Sequence, residues 1–342
     1  MTTRLPHPNR TQARLRAGGL LAAAALLAGC GGAATGNEAA VNEDGSVDLD
    51  EVTLVVGDQR GGSRALLEAA GQLRDVPYEI TWQEFTSGPP LLEALNSGSL
   101  HVGGVGNTPP LFAAAARGEF TAVQAATYGG RGDAVLVPED SDIQSVEDLA
   151  GAKVGVAEGS SAHYHLLAQL DRAGLEYDDL DVQNLQPADA LAAFTSGHLD
   201  AWVTWEPYTS QAEIQADARV LTTGRGVVNG YIFQTVSHAA LDDPATRAAL
   251  EDYLARIARA QVWSRTHQEE WAEAWAEETG LPEEVTLAAV RKRDVELAPI
   301  GPDVVDSEQQ MADTFAAAGL LPEGLDVTGF FTDAFNDVTK GG

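Results

Sequence analysis

From residue 52 onward the chain alternates short apolar runs with longer amphipathic segments, and this alternation constrains the fold more than any other feature. Short runs such as 53–56 have the length and branched apolar composition of buried strands. Segments between them, such as 109–116 and 162–173, carry apolar residues at helical spacing. After Leu241 the pattern is helical throughout. Strands that alternate with helices predict an α/β fold.

The domain organisation follows from two β-rich segments, 134–137 and 231–236, which flank a middle unit. If both segments are crossing strands, the chain leaves one lobe, builds a second and returns. Two lobes joined in this way form a hinge with a cleft between them. We predict a two-lobe clamshell with a two-strand hinge, in which 51–137 and 229–342 form lobe one and 138–228 form lobe two. Two sequential domains without a shared cleft fit the same pattern.

The N-terminus has the order of a secretory leader. A basic region precedes the apolar run 20–27, which is too short to span a bilayer, and Ala28-Gly29-Cys30 follows. The ending LLAGC resembles a bacterial lipobox, so we predict a signal peptide over 1–29 and lipid attachment at Cys30. The alternative is a core cysteine behind a chance apolar stretch. Cys30 is the only cysteine, so no internal disulfide is expected. The basic residues of the leader are Arg4, Arg10, Arg14 and Arg16.

The segment after Cys30 is small, polar and acidic, and 30–50 is predicted to be a flexible tether between the lipid anchor and the fold. No apolar stretch beyond residue 30 approaches the roughly 20 residues that a transmembrane helix needs. We therefore expect a soluble mature domain outside the cytoplasm, held at the cell membrane by its lipid alone.

The chain is strongly acidic, with a formal net charge of −30 and only three lysines, Lys153, Lys292 and Lys340. Such a field repels nucleic acid and anionic membranes, so neither is an expected partner. The simplest interpretation is a solvated acidic coat. An anionic ligand remains compatible with it, but only through local donors such as helix N-termini.

Five stretches carry a family resemblance: WQEFTSGP at 82–89, LLEALNSGS at 91–99, SVEDLAGAKVGV at 145–156, PADA at 187–190 and DAWVTWEPY at 200–208. Each is weak alone, but their order and spacing extend over most of the chain. From about residue 51 to 335 the sequence resembles the solute-binding proteins of aliphatic-sulfonate ABC importers, in the wider nitrate, sulfonate and taurine group.

The resemblance implies a type II periplasmic-binding-protein fold that closes on a small anionic organic ligand, an alkanesulfonate. It also implies hand-over to an ABC permease driven by a cytoplasmic ATPase, with no cofactor. We expect a monomer. A sulfonate is a tetrahedral anion that stays ionised, so its best partners are backbone N–H groups at helix N-termini, hydroxyls and one arginine.

Two turns of lobe one offer such donors. The turn at 59–63 contains Gln59, which can donate, and Gly61, which permits close backbone approach. Gly88 stands in a Thr-Ser-Gly sequence that precedes a helix. An ordinary tight turn and a helix N-cap explain both places equally well.

Asn107 and Thr108 follow a strand and open a helix. Relatives often carry Asp where Asn107 stands, so the resemblance implies a less acidic site here. A purely structural cap is the alternative.

The strongest candidate is the sequence EGSSAH at 158–163, after a predicted strand of lobe two. Gly159, Ser160, Ser161 and His163 would lie at a helix N-terminus, where the helix dipole favours an anion. An N-cap alone explains one serine of this set. His163 and His165 are alternate residues on one helix, and no cysteine or further histidine completes a tetrahedral site, so no metal is expected.

Trp205 and Glu206 stand where the family usually has Trp-Asp-Pro, and Arg225 lies between two glycines just before the returning strand. Trp205 would pack on the alkyl part of the ligand. Glu206 is one methylene longer than Asp, which changes any contact that closes the lobes. The alternative for Trp205 is a core tryptophan. Arg225 would reach the anion or bridge the lobes, and the alternative for it is a surface ion pair. The late tryptophans, predicted to pack in lobe one, are Trp263, Trp271 and Trp275.

Three functions remain open at this point. The first is a sulfonate receptor of an importer. The second is the same role for taurine, nitrate or a heterocycle such as a thiamine precursor, because pocket side chains diverge within a fold. The third is an enzyme on the same fold, although the sequence offers no nucleophile–base pair, Walker loop or metal constellation.

Overall fold

The computed structural model describes residues 36–340, so the predicted signal peptide and Cys30 lie outside the described residues. Within 36–340, eleven strands form a six-stranded and a five-stranded sheet. The strands are β1 Thr53–Gln59, β2 Glu79–Phe85, β3 Val102–Gly106, β4 Phe120–Thr127, β5 Ala134–Pro138, β6 Lys153–Val156, β7 Asp181–Asn184, β8 Ala201–Thr204, β9 Ala218–Thr223, β10 Tyr231–Ser237 and β11 Glu296–Ala298.

Twelve α-helices occur in the same part of the chain. Proline stands in the first turn of five of them, where its missing N–H costs no hydrogen bond. The helices are α1 Ser63–Ala69, α2 Gly88–Asn96, α3 Pro109–Ala115, α4 Ser161–Ala173, α5 Pro187–Thr195, α6 Tyr208–Gln215, α7 His238–Asp242, α8 Pro244–Ser264, α9 Gln268–Thr279, α10 Glu283–Arg291, α11 Pro302–Ala317 and α12 Asn336–Thr339.

The two sheets repeat one strand order. Lobe one reads β2-β1-β3-β10-β4-β11 and lobe two reads β7-β6-β8-β5-β9. In each sheet three parallel strands are followed by one antiparallel strand, β10 or β5, which is the first strand after the chain has crossed between lobes. The predicted α/β class, with two lobes of mixed sheet, is confirmed.

The predicted lobe boundary at residue 137 is wrong by a few residues. Strand β5 pairs with β8 and β9 and therefore belongs to lobe two. The chain crosses between the lobes in two irregular segments, 128–133 and 224–230, rather than along strands. Four consecutive buried residues in β5 indicated a strand, but burial on both faces does not say which sheet the strand joins.

The expectation that everything after Leu241 is helical fails at β11. This strand has only three residues, and it pairs with the outer side of β4. A three-residue edge strand of mixed polarity carries too short a pattern to be distinguished from a loop.

Part of the predicted tether is folded. Asn37 is 6% exposed, and its side chain donates to the Thr53 carbonyl at 3.1 Å and to Thr246 Oγ1 at 2.7 Å. Its Oδ1 accepts the Thr53 N–H at 3.0 Å, and its own N–H donates to Asp243 Oδ2. Ala40 is buried in the core of lobe one. Residues from 37 onward are therefore bound to lobe one, because one amide side chain satisfies the first ladder groups of β1.

The late tryptophans pack in lobe one as predicted. Trp271 and Trp275 on α9 are buried, with their rings stacked at a centroid distance of 5.9 Å. Trp263 is partly buried against the same core. Trp271 also reaches the cavity described below.

No helix within 36–340 has the length and apolar character required to cross a membrane. In the same residues, no three His, Cys, Asp or Glu side chains are grouped so as to hold a metal ion.

Candidate functional site

A cavity of about 130 Å³ lies between the lobes, where the carboxyl ends of five strands, β1, β2, β3, β6 and β8, meet. The loops after β1, β2 and β3 line it from lobe one, together with residues of β10, α8 and α9, and the loops after β6 and β8 line it from lobe two. Tyr128 and Gly132 of one crossing segment complete it. Open α/β sheets bind their ligands outside such carboxyl ends.

Helix α4 points its N-terminus at this cavity. Ser160 and Ser161 line the wall, and Ser160 is the N-cap residue. Its hydroxyl donates to the Ala157 carbonyl at 2.6 Å, and no side chain of the described residues caps the helix. The His163 N–H donates to the Ser160 carbonyl at 3.0 Å, so the amides left for water or ligand are those of Ser161 and Ala162. The helix dipole makes that end favourable for an anion.

Arg293 enters the cavity from lobe one, two residues after α10. Its guanidinium lies 4.9 Å from the centroid of Trp275 and donates to the Glu206 carbonyl of lobe two at 3.3 Å. Burial lowers the pKa of Arg293 from its ordinary value, and the nearby acidic groups of Glu206, Tyr128 and Asp133 oppose that shift. An arginine remains charged under these conditions and presents several N–H donors to an anion.

Three carboxyl groups near Arg293, those of Asp58, Asp133 and Glu206, have pKa values raised by burial. Burial raises the pKa of Asp58 to about 6, although its oxygens accept the N–H groups of Ser63 and Arg64. Burial also raises the pKa of Asp133 to about 7, and the hydroxyl of Tyr128 donates to its Oδ2 at 2.8 Å. The charge of the cavity therefore changes near neutral pH.

Polar contacts join the lobes around the cavity. Lys292 lies 3.0 Å from Glu206 Oε1 and also pairs with Glu213, both in lobe two. On the opposite rim, the hydroxyls of Thr86 and Ser87 donate to Gln186 Oε1 at 2.9 and 2.8 Å. The lobes are therefore in contact on both sides of the cavity, as in a closed clamshell.

Comparison with known proteins decides the family. Residues 86–239 match the family described as NMT1/THI5 like. A protein of Escherichia coli (strain K12), named as an aliphatic sulfonates-binding protein, is 35% identical over 278 residues, which is 80% of this chain and 86% of that protein. This chain belongs to the aliphatic sulfonate-binding protein family. The resemblance seen in the sequence is confirmed.

Solved structures agree on family and fold. The alkanesulfonate-binding protein SsuA of Xanthomonas axonopodis pv. citri, bound to MOPS, superimposes with a TM-score of 0.76 at 32% identity, covering 82% of this chain and 98% of that one. The periplasmic aliphatic sulphonate binding protein SsuA of Escherichia coli gives 0.71 at 35% identity, covering 81% and 91%. The desulfurization enzyme DSZB, at 0.60 and 17% identity over 84% of this chain and 99% of that one, shares the fold alone.

Seven of the predicted site residues line the cavity of this family member. They are Gln59, Gly61, Gly88, Ser160, Ser161, Trp205 and Glu206.

Three of these seven shape the wall through packing or through contacts with lobe one. Gln59 donates to the Gly104 carbonyl at 2.9 Å, which ties the end of β1 to β3. Gly61 has φ +66°, and a Cβ there would stand 0.9 Å from Trp275 Nε1, so only glycine admits the indole. A Cβ on Gly88 would stand 2.4 Å from Pro109 Cγ.

Asn107 and Thr108 are buried beneath the wall rather than in it. Asn107 Nδ2 donates to Asn229 Oδ1 at 2.6 Å, and Thr108 Oγ1 donates to Asn107 Oδ1 at 3.1 Å. Asn229 lies in the second crossing segment, so these side chains fix the connection between lobes. Their prediction as ligand contacts is not supported, because their polar groups are used inside the fold.

Gly159 and His163 also lie outside the cavity wall. The N–H of Gly159 donates to His163 Nδ1 at 3.1 Å, and His163 Nε2 hydrogen-bonds the hydroxyl of Tyr177 at 3.0 Å. The imidazole packs against Phe315 at a centroid distance of 5.1 Å, and burial lowers its pKa to about 4. His163 is thus a neutral packing residue between α4 and α11.

The predicted Arg225 is not among the residues that line the cavity. Arg225 is exposed and lies away from the cavity, whereas Arg60 and Arg293 line it. Arg293 ends Arg291-Lys292-Arg293, the longest cationic run of a very acidic sequence, and that run was the available signal. Asp58 and Gln234 of the wall were also missed, because single polar residues at strand positions carry no distinguishing pattern.

Proposed function

We propose that the protein is the extracytoplasmic solute-binding component of an ABC importer and binds small organic sulfonates in the cavity between its lobes. Family membership supports the role. The ligand class is supported by the relatives, of which the Xanthomonas protein holds MOPS, itself a sulfonate. The observation that carries the proposal is that Arg293 of lobe one and the uncapped N-terminus of α4 of lobe two line the same cavity.

These two elements suit a sulfonate because they donate hydrogen bonds to an ion that never needs a proton. Arg293 supplies a fork of N–H donors from lobe one. The first amides of α4 supply donors and a favourable dipole from lobe two. Since the donors belong to different lobes, an anion between them draws the lobes together and stabilises the closed arrangement. Trp205 offers an apolar face beside them for the alkyl part of the ligand.

We propose binding rather than catalysis. The lining residues include serines but no histidine or cysteine within the described part of the chain. The hydroxyl of Ser160 donates to a backbone carbonyl, and the carboxylate of Asp58 accepts two backbone N–H groups. A nucleophile would need a base within hydrogen-bond reach.

The partners would be a membrane permease and its ATPase, with the closed form as the docking species. Cys30 would carry the lipid that holds the protein at the outer face of the cell membrane, and the protein would act as a monomer. Of the predicted tether, only residues before Asn37 remain to link the lipid to the fold, because Asn37 is bonded to lobe one.

The test is calorimetric titration of the full-length protein, purified in detergent, with ethanesulfonate, longer alkanesulfonates, taurine, sulfate, nitrate and a thiamine precursor. Binding at micromolar concentration or tighter, confined to sulfonates, is the expected result. A response to nitrate or the heterocycle with silence across sulfonates would keep the importer role and remove the ligand class. Mass spectrometry of each ligand after incubation should return it unchanged; a converted product would overturn the assignment as a binding protein.

A further inference from the structure

Three cationic side chains of lobe one contact the segment of lobe two that joins β8 to α6. Arg293 donates to the carbonyl of Glu206 at 3.3 Å, and the ammonium group of Lys292 lies 3.0 Å from the carboxylate of the same residue. The third is Arg60, in the loop after β1, whose guanidinium carbon lies 5.9 Å from the ring centroid of Tyr208. Arg60 also lines the cavity. It is therefore a cavity residue that contacts the opposite lobe through an aromatic face.

The guanidinium of Arg60 is anchored within lobe one. One of its N–H groups donates to the carbonyl of Thr279 at 3.0 Å. Thr279 is the last residue of α9, and the dipole at a helix C-terminus favours a cation. In the described part of the chain, Arg60 forms no ion pair with a carboxylate. Its charge is therefore positioned by lobe one and remains available to the ring of Tyr208.

Tyr208 is a buried aromatic residue at the first position of α6. It is 6% exposed, and its ring meets that of Trp205 edge to face at a centroid distance of 6.1 Å. Burial raises the pKa of Tyr208, and the nearby charge of Arg60 opposes that shift. Trp205 lines the cavity from lobe two. A cation held at the ring of Tyr208 therefore also fixes the place of Trp205 in the cavity wall.

We propose that Arg60 and Tyr208 form a latch between the lobes, which holds the closed form over a bound sulfonate and slows its release. This inference rests on the proposed function. The two side chains belong to different lobes, so the contact exists only while the lobes are together. Its free energy stabilises the closed form, and the ligand leaves only after the contact is broken. Arg60 is thus a positioning residue that acts through Tyr208, rather than a ligand contact.

The first test is a double-mutant cycle on the full-length protein in detergent. Arg60→Gln removes the charge, Tyr208→Leu removes the ring, and a third variant carries both changes. Stopped-flow tryptophan fluorescence gives the association and dissociation rates of the best sulfonate. Each single change should raise the dissociation rate about fivefold and leave the association rate within about twofold of the parent value. The double variant should release the ligand no faster than the single variants.

The double variant separates a latch from a direct ligand contact. If Arg60 donates to the ligand itself, Arg60→Gln raises the dissociation rate by the same factor whether or not the ring of Tyr208 is present, and the latch is overturned. Unchanged dissociation rates in both single variants would also overturn it and would leave the sulfonate receptor intact. Silence of the parent protein toward every sulfonate would overturn both proposals.

The matched control is a second arginine–aromatic pair, which lies entirely within lobe one. The guanidinium carbon of Arg247 on α8 lies 5.0 Å from the ring centroid of Phe335. Neither residue lines the cavity, so Arg247→Gln should leave both rates unchanged. Tyr208→Phe keeps the aromatic face and should release the ligand like the parent protein. Release from Tyr208→Phe as fast as from Tyr208→Leu, or faster release from Arg247→Gln, would overturn the assignment of the latch.

Discussion

Replacement of Arg293 by Gln tests the centre of the proposed site. The side chain is half-buried and lies between Trp275 and the Glu206 carbonyl, so it is held in place before any ligand arrives. A hydrogen bond to a charged group contributes about 1.5–3 kcal/mol, and every 1.4 kcal/mol changes a dissociation constant about tenfold. Because the group is partly solvated, we take about 2 kcal/mol and expect Arg293→Gln to weaken sulfonate binding by about 30-fold.

The matched control is Arg225→Gln, which removes an exposed arginine away from the cavity. Both variants are titrated by calorimetry with the best sulfonate of the parent protein, and thermal unfolding without ligand checks that the fold is intact. Arg225→Gln should bind like the parent protein. Arg293→Lys should fall between the parent and Arg293→Gln, because it keeps the charge but loses the planar fork. A loss below threefold for Arg293→Gln, or an equal loss for Arg225→Gln, would refute the reasoning.

Three further predictions address charge and packing. Burial raises the pKa of Asp133 to about 7, and the ionised carboxylate repels an anionic ligand. Sulfonate affinity should therefore rise as the pH falls through 7, by up to about tenfold per pH unit. Calorimetry from pH 5.5 to 8.5 should show this slope, and Asp133→Asn should flatten it. Lys292→Met leaves the buried Glu206 carboxylate without its cation and should reduce the free energy of unfolding by about 1–3 kcal/mol in a denaturant titration, since the lysine is partly exposed; an unchanged midpoint would contradict the role of this pair. Gly61→Ala places a methyl group on the indole of Trp275, so it should reduce the free energy of unfolding by about 3 kcal/mol and abolish binding. Gly45→Ala, at φ +82° with open space around it, should reduce the free energy of unfolding by only about 1 kcal/mol in the same denaturant titration.

The sequence predicts elements that repeat a pattern and misses contacts that depend on folding. Alternating apolar runs place the strands to within a few residues, because burial on the faces of a sheet leaves a periodic record. The serines at the start of α4 could be placed at the cavity because a helix N-terminus follows a strand end there. By contrast, which of two lobes β5 joins depends on pairing with β8 and β9, far along the chain.

The two arginines Arg225 and Arg293 show why the cavity wall was only partly predictable. Arg225 stands next to a glycine-rich crossing, which suggested proximity to a cleft. Arg293 follows a helix in a segment without any familiar motif, and tertiary packing on Trp275 brings it to the cavity. Asn37 is a comparable case: a polar residue in a small, acidic segment becomes buried because its amide matches the free groups of β1. Such matches are made by geometry and leave no periodic signal.

Strand β10 comes late in the chain but lies in the middle of the sheet of lobe one, and this position affects the order in which the lobes fold during synthesis. All strands of lobe two, β5 to β9, come from one continuous stretch, 134–223. The sheet of lobe one has β10 between β3 and β4, so its two halves cannot join until residue 237 has left the ribosome or the export channel. We expect lobe two to form its sheet while lobe one, although synthesised first, is still open along its middle. A chain stopped before β10 would expose the edges of β3 and β4 and would be the species most prone to aggregate.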